Sequence, residues 1–456
     1  GHEVSSRDVL SASVHLYFEI GDTMWGQASS GGALGADKTI VELRNAYIDW
    51  TVPNTDLKLR MGIQGLSMPN VAGGSAVLFD DAAAVVANYQ FNENVGLTAF
   101  WARLFNDNWN ESSAANRWSP DDDANYQDNV DLFALMLPLT FEGVKLTPWA
   151  MYGMIGVNSW DAMDNGLHMG SYPPYSLRPY PLAYNGGTLD TDKSYGSAFW
   201  AGLPIAVTAF DPLNIEVDIN YGYVESMGRY DVQQLNSGAW RRGDTQREGW
   251  LVKALVEYKL DWGTPGIYGW YGSGDDSNPK NGSERMPVVS ANGNNDFSNF
   301  AFNGNPYIAR EGILGSTMVG TWGVGVRLKD VSFLEDLKHT LRVNFMGGTN
   351  APKMAKYVRG AAEKPGTFVS GPAAPYYDGA YDPIYLTTED YALEIGLTNT
   401  YKMYDNFTIM LDAAYIAMWL DDSRSTWGKN PMSGFTGRDG GTYDAWNVNL
   451  SFVYSF

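Results

Sequence analysis

Hydrophobic and polar residues alternate along most of this chain with a period of two. In the final segment one face carries large apolar side chains and the other small polar ones: Trp446, Val448, Leu450, Phe452 and Tyr454 against Asn447, Asn449 and Ser451. Such a period places alternate side chains on opposite faces of a β-strand. No run of about 18 apolar residues predicts a membrane-spanning helix. The pattern therefore predicts an all-β chain.

The connections between these segments are alternately short and long. Short turns of hairpin type include Pro53–Asp56, Glu142–Gly143 and Asp405–Asn406, whereas the other connections are long and polar, as at 158–194 and 352–388. Apolar faces with aromatic residues near both ends, as in residues 250–262, suit strands whose outer side meets lipid. We predict a transmembrane antiparallel β-barrel of about sixteen strands, with short periplasmic turns and long extracellular loops. A soluble all-β fold is the alternative.

Composition agrees with one barrel domain over residues 1–456. Hydrophobic residues make up only 44%, as expected when half of each spanning strand faces water, and aromatic residues reach 14%. Cysteine is absent, which excludes disulfides, thiol nucleophiles and cysteine-bound metals. The formal net charge of −21 argues against a nucleic-acid partner. Because barrels of sixteen to eighteen strands leave an aqueous channel, we expect a hollow lumen.

Two blocks near the start resemble a known family. Residues 44–50 read Arg-Asn-Ala-Tyr-Ile-Asp-Trp, and residues 57–64, which end in Gly-Ile-Gln, follow after a turn. They resemble the general diffusion porins, most closely the homotrimeric outer-membrane porins of sulfate-reducing bacteria. The resemblance implies a bacterial outer-membrane location, a homotrimer, and a third extracellular loop folded into each pore. The family's Pro-Glu-Phe-Gly turn is missing from that loop.

The third loop is predicted at residues 106–128, and it contains the carboxylates Asp121, Asp122 and Asp123. If it enters the lumen, these carboxylates face basic side chains on the opposite wall and create a transverse field that filters solutes by charge. The candidate bases are Lys58, Arg60, Arg44 and Arg103. Lys58 and Arg60 belong to a strand that alternates without ambiguity. Arg44 shares a face with Ile48 and Trp50, so it reaches the lumen only through a bulge. The alternative is that these carboxylates lie on an exposed loop surface and contact only solvent.

The chain end resembles the signal that the outer-membrane assembly machinery reads on bacterial barrels. Its aromatic residues are Phe452, Tyr454 and Phe456. The resemblance implies that this machinery and the outer-membrane lipids are partners of the chain.

Chemistry beyond a pore is sparse in the sequence. Oxygen-rich loop stretches could bind calcium through Asp121, Asp123, Asp275 and Asp276, although none matches the twelve-residue calcium loop, so an exposed acidic loop is the simpler interpretation. The four histidines are too scattered for a zinc site, and no nucleotide or hydrolase motif is present. His15 beside Ser13 leaves a lumen hydrolase as a remote alternative. We expect neither a cofactor nor an enzymatic activity.

These patterns predict an outer-membrane porin through which small hydrophilic solutes and ions diffuse passively past a charged constriction. Two alternatives stay open. A substrate-specific outer-membrane channel would show a ladder of inward aromatic residues, and only Tyr17, Tyr47 and Trp101 qualify. A soluble or surface-displayed all-β protein would instead bind a ligand with its long loops.

Overall fold

The computed structural model describes most of the chain, and the statements below concern those residues. They are 2–5, 11–21, 40–106, 109–112, 117–120, 126–159, 177, 189–234, 239–290, 296–302, 313–315, 317–355, 357, 385–421, 423, 426 and 444–455. No helix in this part of the chain is long and apolar enough to cross a membrane. Short 3-10 turns, such as Tyr126–Asp128 and Pro352–Met354, interrupt a fold that is built mainly from strands and loops.

The strands follow one another along the chain with regular spacing. In the first half they are β1 (His2–Ser5), β2 (Ser11–Gly21), β3 (Ile40–Thr51), β4 (Leu57–Ser67), β5 (Phe79–Gln90), β6 (Gly96–Asn106), β7 (Trp109–Ser112), β8 (Arg117–Pro120), β9 (Asn129–Met136), β10 (Leu139–Phe141), β11 (Val144–Leu146) and β12 (Trp149–Gly156). In the second half they are β13 (Leu189–Thr191), β14 (Tyr195–Phe210), β15 (Leu213–Val224), β16 (Gly228–Gln234), β17 (Ala239–Asp244), β18 (Arg247–Tyr258), β19 (Thr264–Gly272), β20 (Thr321–Leu334), β21 (Leu337–Gly348), β22 (Tyr391–Tyr404), β23 (Phe407–Trp419) and β24 (Ala445–Tyr454).

One antiparallel ladder joins sixteen wall strands in chain order. It runs from β2 through β6, then to β9 with its continuation β10, to β11 with β12, to β14 and β15, and on through β18 to β24. The short strand β1 lies along the other edge of β2. In the part of the chain that the structure describes, β24 pairs only with β23. The predicted number of wall strands is confirmed.

The predicted alternation of connections is also confirmed. Short turns follow β3, β5, β10, β14, β18, β20 and β22, whereas every other connection between wall strands is longer. The turn after β10 needs glycine, because Gly143 has φ +70° and an added Cβ would lie 2.5 Å from Cα of Ala209. Both chain ends therefore lie on the short-turn side, which is the periplasmic side of outer-membrane barrels.

The two faces of the wall differ as the sequence pattern predicts. Large apolar side chains are exposed on the outside, and along β24 the exposed fraction reaches 72% at Trp446 and 63% at Phe452. Aromatic residues lie near both ends of several strands, as Trp250 and Tyr258 do on β18. An exposed apolar exterior with aromatic ends is what lipid contact requires. It also contradicts the soluble alternative, in which these side chains would be buried.

The buried core lies inside the barrel. Loop residues such as Met68, Val77, Met286 and Phe302 are buried together with inward residues of the wall. Contacts of these loops reach from β5 through β14 and β15 to β23, so the sheet curls around them. The chain is thus a β-barrel whose lumen is partly filled by its own loops.

Candidate functional site: the barrel lumen

Three loop segments enter the lumen, and we call them the lumen loops: residues 68–78, 283–290 and 296–302. The first follows β4, and the other two lie between β19 and β20. None of them belongs to the loop 106–128 that the sequence suggested as the constriction. Their anchors to the wall decide which part of the lumen stays open.

The lumen loop 68–78 is held by a buried ion pair on the opposite wall. The carboxylate of Asp218 on β15 accepts the backbone N–H groups of Val71 at 3.0 Å and Ala72 at 2.8 Å. Lys253 on β18 lies 3.4 Å from Asp218 and donates to the carbonyl of Gly74, and both charged side chains are only 2% exposed. The pair thus neutralises its own charges while it satisfies the polar backbone of the loop.

The lumen loop 283–290 bridges two distant strands. Indole Nε1 of Trp200 on β14 donates to the carbonyl of Pro287 at 2.9 Å. At its far end, the N–H of Phe79 on β5 donates to Ser290 O at 2.8 Å, and the N–H of Ser290 donates to Val77 O at 3.0 Å. This segment therefore crosses the barrel interior and pairs with the loop 68–78.

The lumen loop 296–302 is anchored by Glu394 on β22, a fully buried carboxylate. It accepts the backbone N–H groups of Asn299 at 2.8 Å and Phe300 at 2.6 Å, and the hydroxyl of Ser298 at 2.9 Å. The side-chain amide of Asn344 donates to it as well, at 2.9 Å. Because one charge compensates several buried donors, this is a strong attachment point.

The same loop also covers two arginines of the wall. Asp296 binds Arg342 on β21 with an oxygen-to-nitrogen distance of 2.7 Å and binds Arg327 on β20 as well. Glu257 on β18 holds Arg327 from the other side at 2.6 Å. Arg327, Arg342 and Lys253 are all buried on the inner side of the wall in the structure. The structure also shows that all three are used to dock the lumen loops.

We expect the contact of Asp296 with its arginines to persist in mild acid. Burial raises the pKa of this carboxyl, but Arg327 and Arg342 outweigh it and hold the pKa below the ordinary 3.8. A lowered pKa means that the attraction is present above 3.8 and is lost only as the pH falls through the lower value. Conductance in planar bilayers should therefore stay constant from neutral pH to about pH 4 and change below it. A transition near pH 6 that disappears in Asp296→Asn would contradict this.

On the other side of the lumen, an open cavity of about 570 Å³ lies against β3 to β6. Its lining includes Lys58, Asn88 and Thr98, which lie side by side on neighbouring strands. Lys58 has an exposed side chain and no ion pair with any residue that the structure describes. Arg60, which also lines the cavity, is neutralised by a bidentate pair with Asp49 at 2.7 and 2.8 Å. Lys58 therefore dominates the charge of this opening.

Aromatic stacking positions the wall next to this cavity. The guanidinium of Arg60 lies 4.3 Å from the ring centre of Tyr47, and His15 stacks on the same ring at 4.9 Å. Nε2 of His15 lies 2.7 Å from Oγ of Ser13 and 3.5 Å from Oδ2 of Asp49. A hydrolytic triad needs the acid and the serine on opposite ring nitrogens, whereas here both approach the same one. The geometry is that of a polar lining.

No known family model matches the chain, and no curated protein sequence is similar to it. Its structure is similar to crystal structures of three Pseudomonas aeruginosa proteins. OpdQ matches at 10% identity with a TM-score of 0.46, over 98% of this chain and 87% of that one. OprD matches at 10% with 0.45, and OccK11 (OpdR) at 12% with 0.44, each over 98% of this chain and 85% of the other. Nothing about a site or solute is transferred at such identities.

The exterior and the interior of the molecule together decide its class. An apolar, aromatic-bounded outside belongs in lipid, and a polar cavity inside the wall belongs to a path for water. The chain is a membrane-spanning β-barrel whose wall encloses a polar cavity.

The other predicted bases of the wall differ in position. Arg44 is the extra residue of a bulge, since Tyr17 pairs with Asn45 and Phe18 with Leu43. The sequence pattern made the route of Arg44 to the lumen depend on such a bulge. The guanidinium of Arg44 binds Asp81 on β5 at 2.7 Å. Arg44 is thus fixed at the extracellular end of the wall rather than against the cavity.

Arg103 lies on the outward face of β6. It follows Trp101, an exposed residue of that face, and forms a bidentate pair with Asp131 on β9 at 3.0 and 3.1 Å. Indole Nε1 of Trp101 donates to the same carboxylate at 2.9 Å. The inward positions of this strand are held by Phe100 and Ala102 instead. Arg103 and Trp101 therefore do not face the lumen, contrary to the sequence interpretation.

The predicted acidic constriction cannot be placed on the wall. Asp121, Asp122 and Asp123 lie outside the described residues. Within the loop 106–128, β7 and β8 form a separate hairpin. The sequence did not reveal that the lumen loops fill part of the lumen. Polar residues at inward positions, such as Asp218 and Lys253, are a signal that could have indicated buried partners, but the period of two does not show which loops they hold.

The calcium prediction has a different outcome for each half. Asp121 and Asp123 lie outside the described residues. The carboxylate of Asp275 is buried and accepts the hydroxyls of Ser283 at 2.5 Å and Tyr385 at 2.9 Å. Asp276 accepts the N–H of Asn278 at 2.6 Å. Among the described residues, no group of three or more histidine or acidic side chains could hold a metal.

The closing strand presents two of the three predicted signal residues to the outside. Phe452 and Tyr454 are exposed on β24. Phe452 stacks with Phe407 at 6.3 Å, and the hydroxyl of Tyr454 accepts the side-chain amide of Asn406 at 2.9 Å. Phe456 lies outside the described residues. Reading of this segment by the assembly machinery stays a prediction.

Proposed function

We propose that the chain is a narrow passive diffusion channel in which small hydrophilic solutes pass between the lumen loops and the wall of β3 to β6. The cavity of about 570 Å³ carries this proposal, because it is a polar opening along the wall of β3 to β6. Lys58, Asn88 and Thr98 offer a cation and hydrogen-bonding groups to the solute. Such a lining replaces the hydration of a polar solute at low cost.

One observation favours a second candidate, a substrate-specific channel. The lumen loops are fastened by buried charged groups, namely Asp218, Lys253 and Glu394, so the narrow path is preorganised. A preorganised path with few polar groups selects by shape and charge more sharply than a wide pore does. Swelling rates of proteoliposomes in a series of neutral sugars and amino acids separate the two candidates. A smooth fall with solute size supports general diffusion, and a preference independent of size supports specificity.

We also propose the homotrimer and the ion transport that the porin resemblance implies. The resemblance supports both, and the experiment is to add detergent-purified protein to a planar bilayer. Current steps in groups of three support a trimer of channels, and single steps support independent barrels. A folded sample that never conducts would overturn the channel proposal.

Lys58 is expected to set the charge preference of the channel. Reversing it in Lys58→Glu should shift the reversal potential across a KCl gradient toward the potassium potential, because the charge facing the cavity changes sign. We expect the ratio of chloride to potassium permeability to fall about tenfold, as for a loss of about 1.4 kcal/mol.

Lys280→Glu is the matched control for this measurement. Lys280 is exposed in the long connection between β19 and β20, so its reversal should change the ratio little. Equal shifts in both variants would show that only the total charge matters, and Lys58 would lose its special role.

A further inference from the structure

Arg327 and Arg342 lie directly opposite each other on β20 and β21. Like charges at such paired positions repel, so the pair needs a compensating anion. Glycines flank it on both sides, since Gly266 pairs with Arg327 and Gly396 pairs with Arg342. These glycines let other side chains come close to the arginines, since an added Cβ would lie 2.3 Å from Oδ1 of Asn299 at Gly396 and 3.1 Å from Cβ of Glu257 at Gly266.

Asp296 binds both arginines and covers them from the lumen side. The arginine side chains are 3% and 10% exposed, whereas the side chain of Asp296 is 41% exposed. The carboxylate therefore lies between the two guanidinium groups and the solvent. Arg342 also donates through Nε to the backbone carbonyl of Asp296 at 2.8 Å.

The arginine pair is not saturated by these contacts. Nε of Arg327 is buried and has no hydrogen-bond partner among the described residues. A buried donor without a partner is costly, and it marks a place where another acceptor would bind favourably. Planar guanidinium groups match the paired oxygens of carboxylates and phosphates.

We propose that Arg327 and Arg342 form an oxyanion-binding site on the channel wall, and that Asp296 occupies it as a tethered competitor. The ligand is the carboxylate or phosphate group of a small solute, which exchanges with Asp296 as it passes. This inference rests on the proposed channel function. It assigns to the lumen a second solute contact, on β20 and β21, separate from the cavity beside β3 to β6.

The test compares Asp296→Asn with the unchanged protein in planar bilayers. The substitution keeps the shape of the side chain but removes the competing charge, so Glu257 is the acid that remains ion-paired with Arg327. Inorganic phosphate should then interrupt the current at about tenfold lower concentration than in the unchanged protein. Asp276→Asn is the control, because it removes the same charge from an exposed position of the same loop connection.

One further variant and a second anion complete the test. Asp296→Glu restores the charge and should return the phosphate response to that of the unchanged protein. The measurement is repeated with acetate in place of phosphate. A general oxyanion site responds to both anions, whereas a phosphate site responds to phosphate alone. If Asp296→Asn responds to phosphate no more than Asp276→Asn does, the site is overturned while the channel stands. If no variant conducts although heat-modified gel migration shows folded barrels, the channel proposal itself has failed.

Discussion

Replacing Glu394 by glutamine should release the lumen loop 296–302 and raise the single-channel conductance. The carboxylate accepts three backbone N–H groups through one oxygen, and it accepts the side chains of Ser298 and Asn344 through the other. The glutamine amide carries no charge, and its NH2 group would face hydrogen-bond donors that one carboxylate oxygen of Glu394 accepts. Loss of a buried charged acceptor costs about 3 kcal/mol, which lowers the ratio of docked to released loop about 100-fold.

The control for this change is Glu389→Gln. Glu389 is exposed just before β22, and its substitution removes the same charge without touching the loop. Conductance and reversal potential of both variants are measured in the same bilayers. A Glu394→Gln channel that conducts like the unchanged protein would show that loop 296–302 is not held by this carboxylate or does not narrow the path.

Replacing Lys253 by methionine should have the largest effect on stability. Methionine fills the volume of the lysine stem but leaves the carboxylate of Asp218 buried without its counter-ion, 2% exposed. Breaking a buried ion pair from one side costs about 3–5 kcal/mol. The free energy of unfolding in lipid vesicles, followed by tryptophan fluorescence against denaturant, should fall by that amount.

Two further variants separate the ion pair from the loop that it holds. Lys259→Met removes a lysine that is exposed just after β18 and should change the unfolding free energy little. The double variant Lys253→Met with Asp218→Leu removes both charges, so it should recover much of the lost stability. The N–H groups of Val71 and Ala72 would still lose their acceptor, so the double variant should conduct more than the unchanged protein. An equally stable single variant would refute this account of the pair.

Much of the wall could be predicted from the sequence, because the alternation of side chains along a strand is local and one face meets lipid while the other meets water. On β4, Gln64 and Leu66 are buried on the inner side whereas Ile63 is exposed on the outer side, as the alternation indicates. Where the ladder shifts, alternation fails. Arg44 sits on a bulge, and Arg103 lies on the outward face of β6 although the sequence interpretation placed it in the lumen.

The contents of the lumen could not be predicted in the same way. Asp218 meets Val71 across 147 residues of chain, and Glu394 meets Asn299 across 95. A buried charge shows in the sequence as an inward polar residue, but its partner depends on how the sheet curls. The loop 106–128 was favoured by the porin resemblance, whereas contacts with the wall place the segments 68–78, 283–290 and 296–302 inside.

The sequence by itself determined the number of wall strands, the short and long connections, and the apolar exterior. These features follow from a local period of two, from turn chemistry and from the need to present apolar side chains to lipid. Only the tertiary structure decided which loops fill the lumen and which basic residues remain available to solutes. The reason is that a buried charge must find its counter-charge in space, and closure of the sheet brings together Arg327, Arg342 and Asp296 while it leaves Lys58 facing the open path.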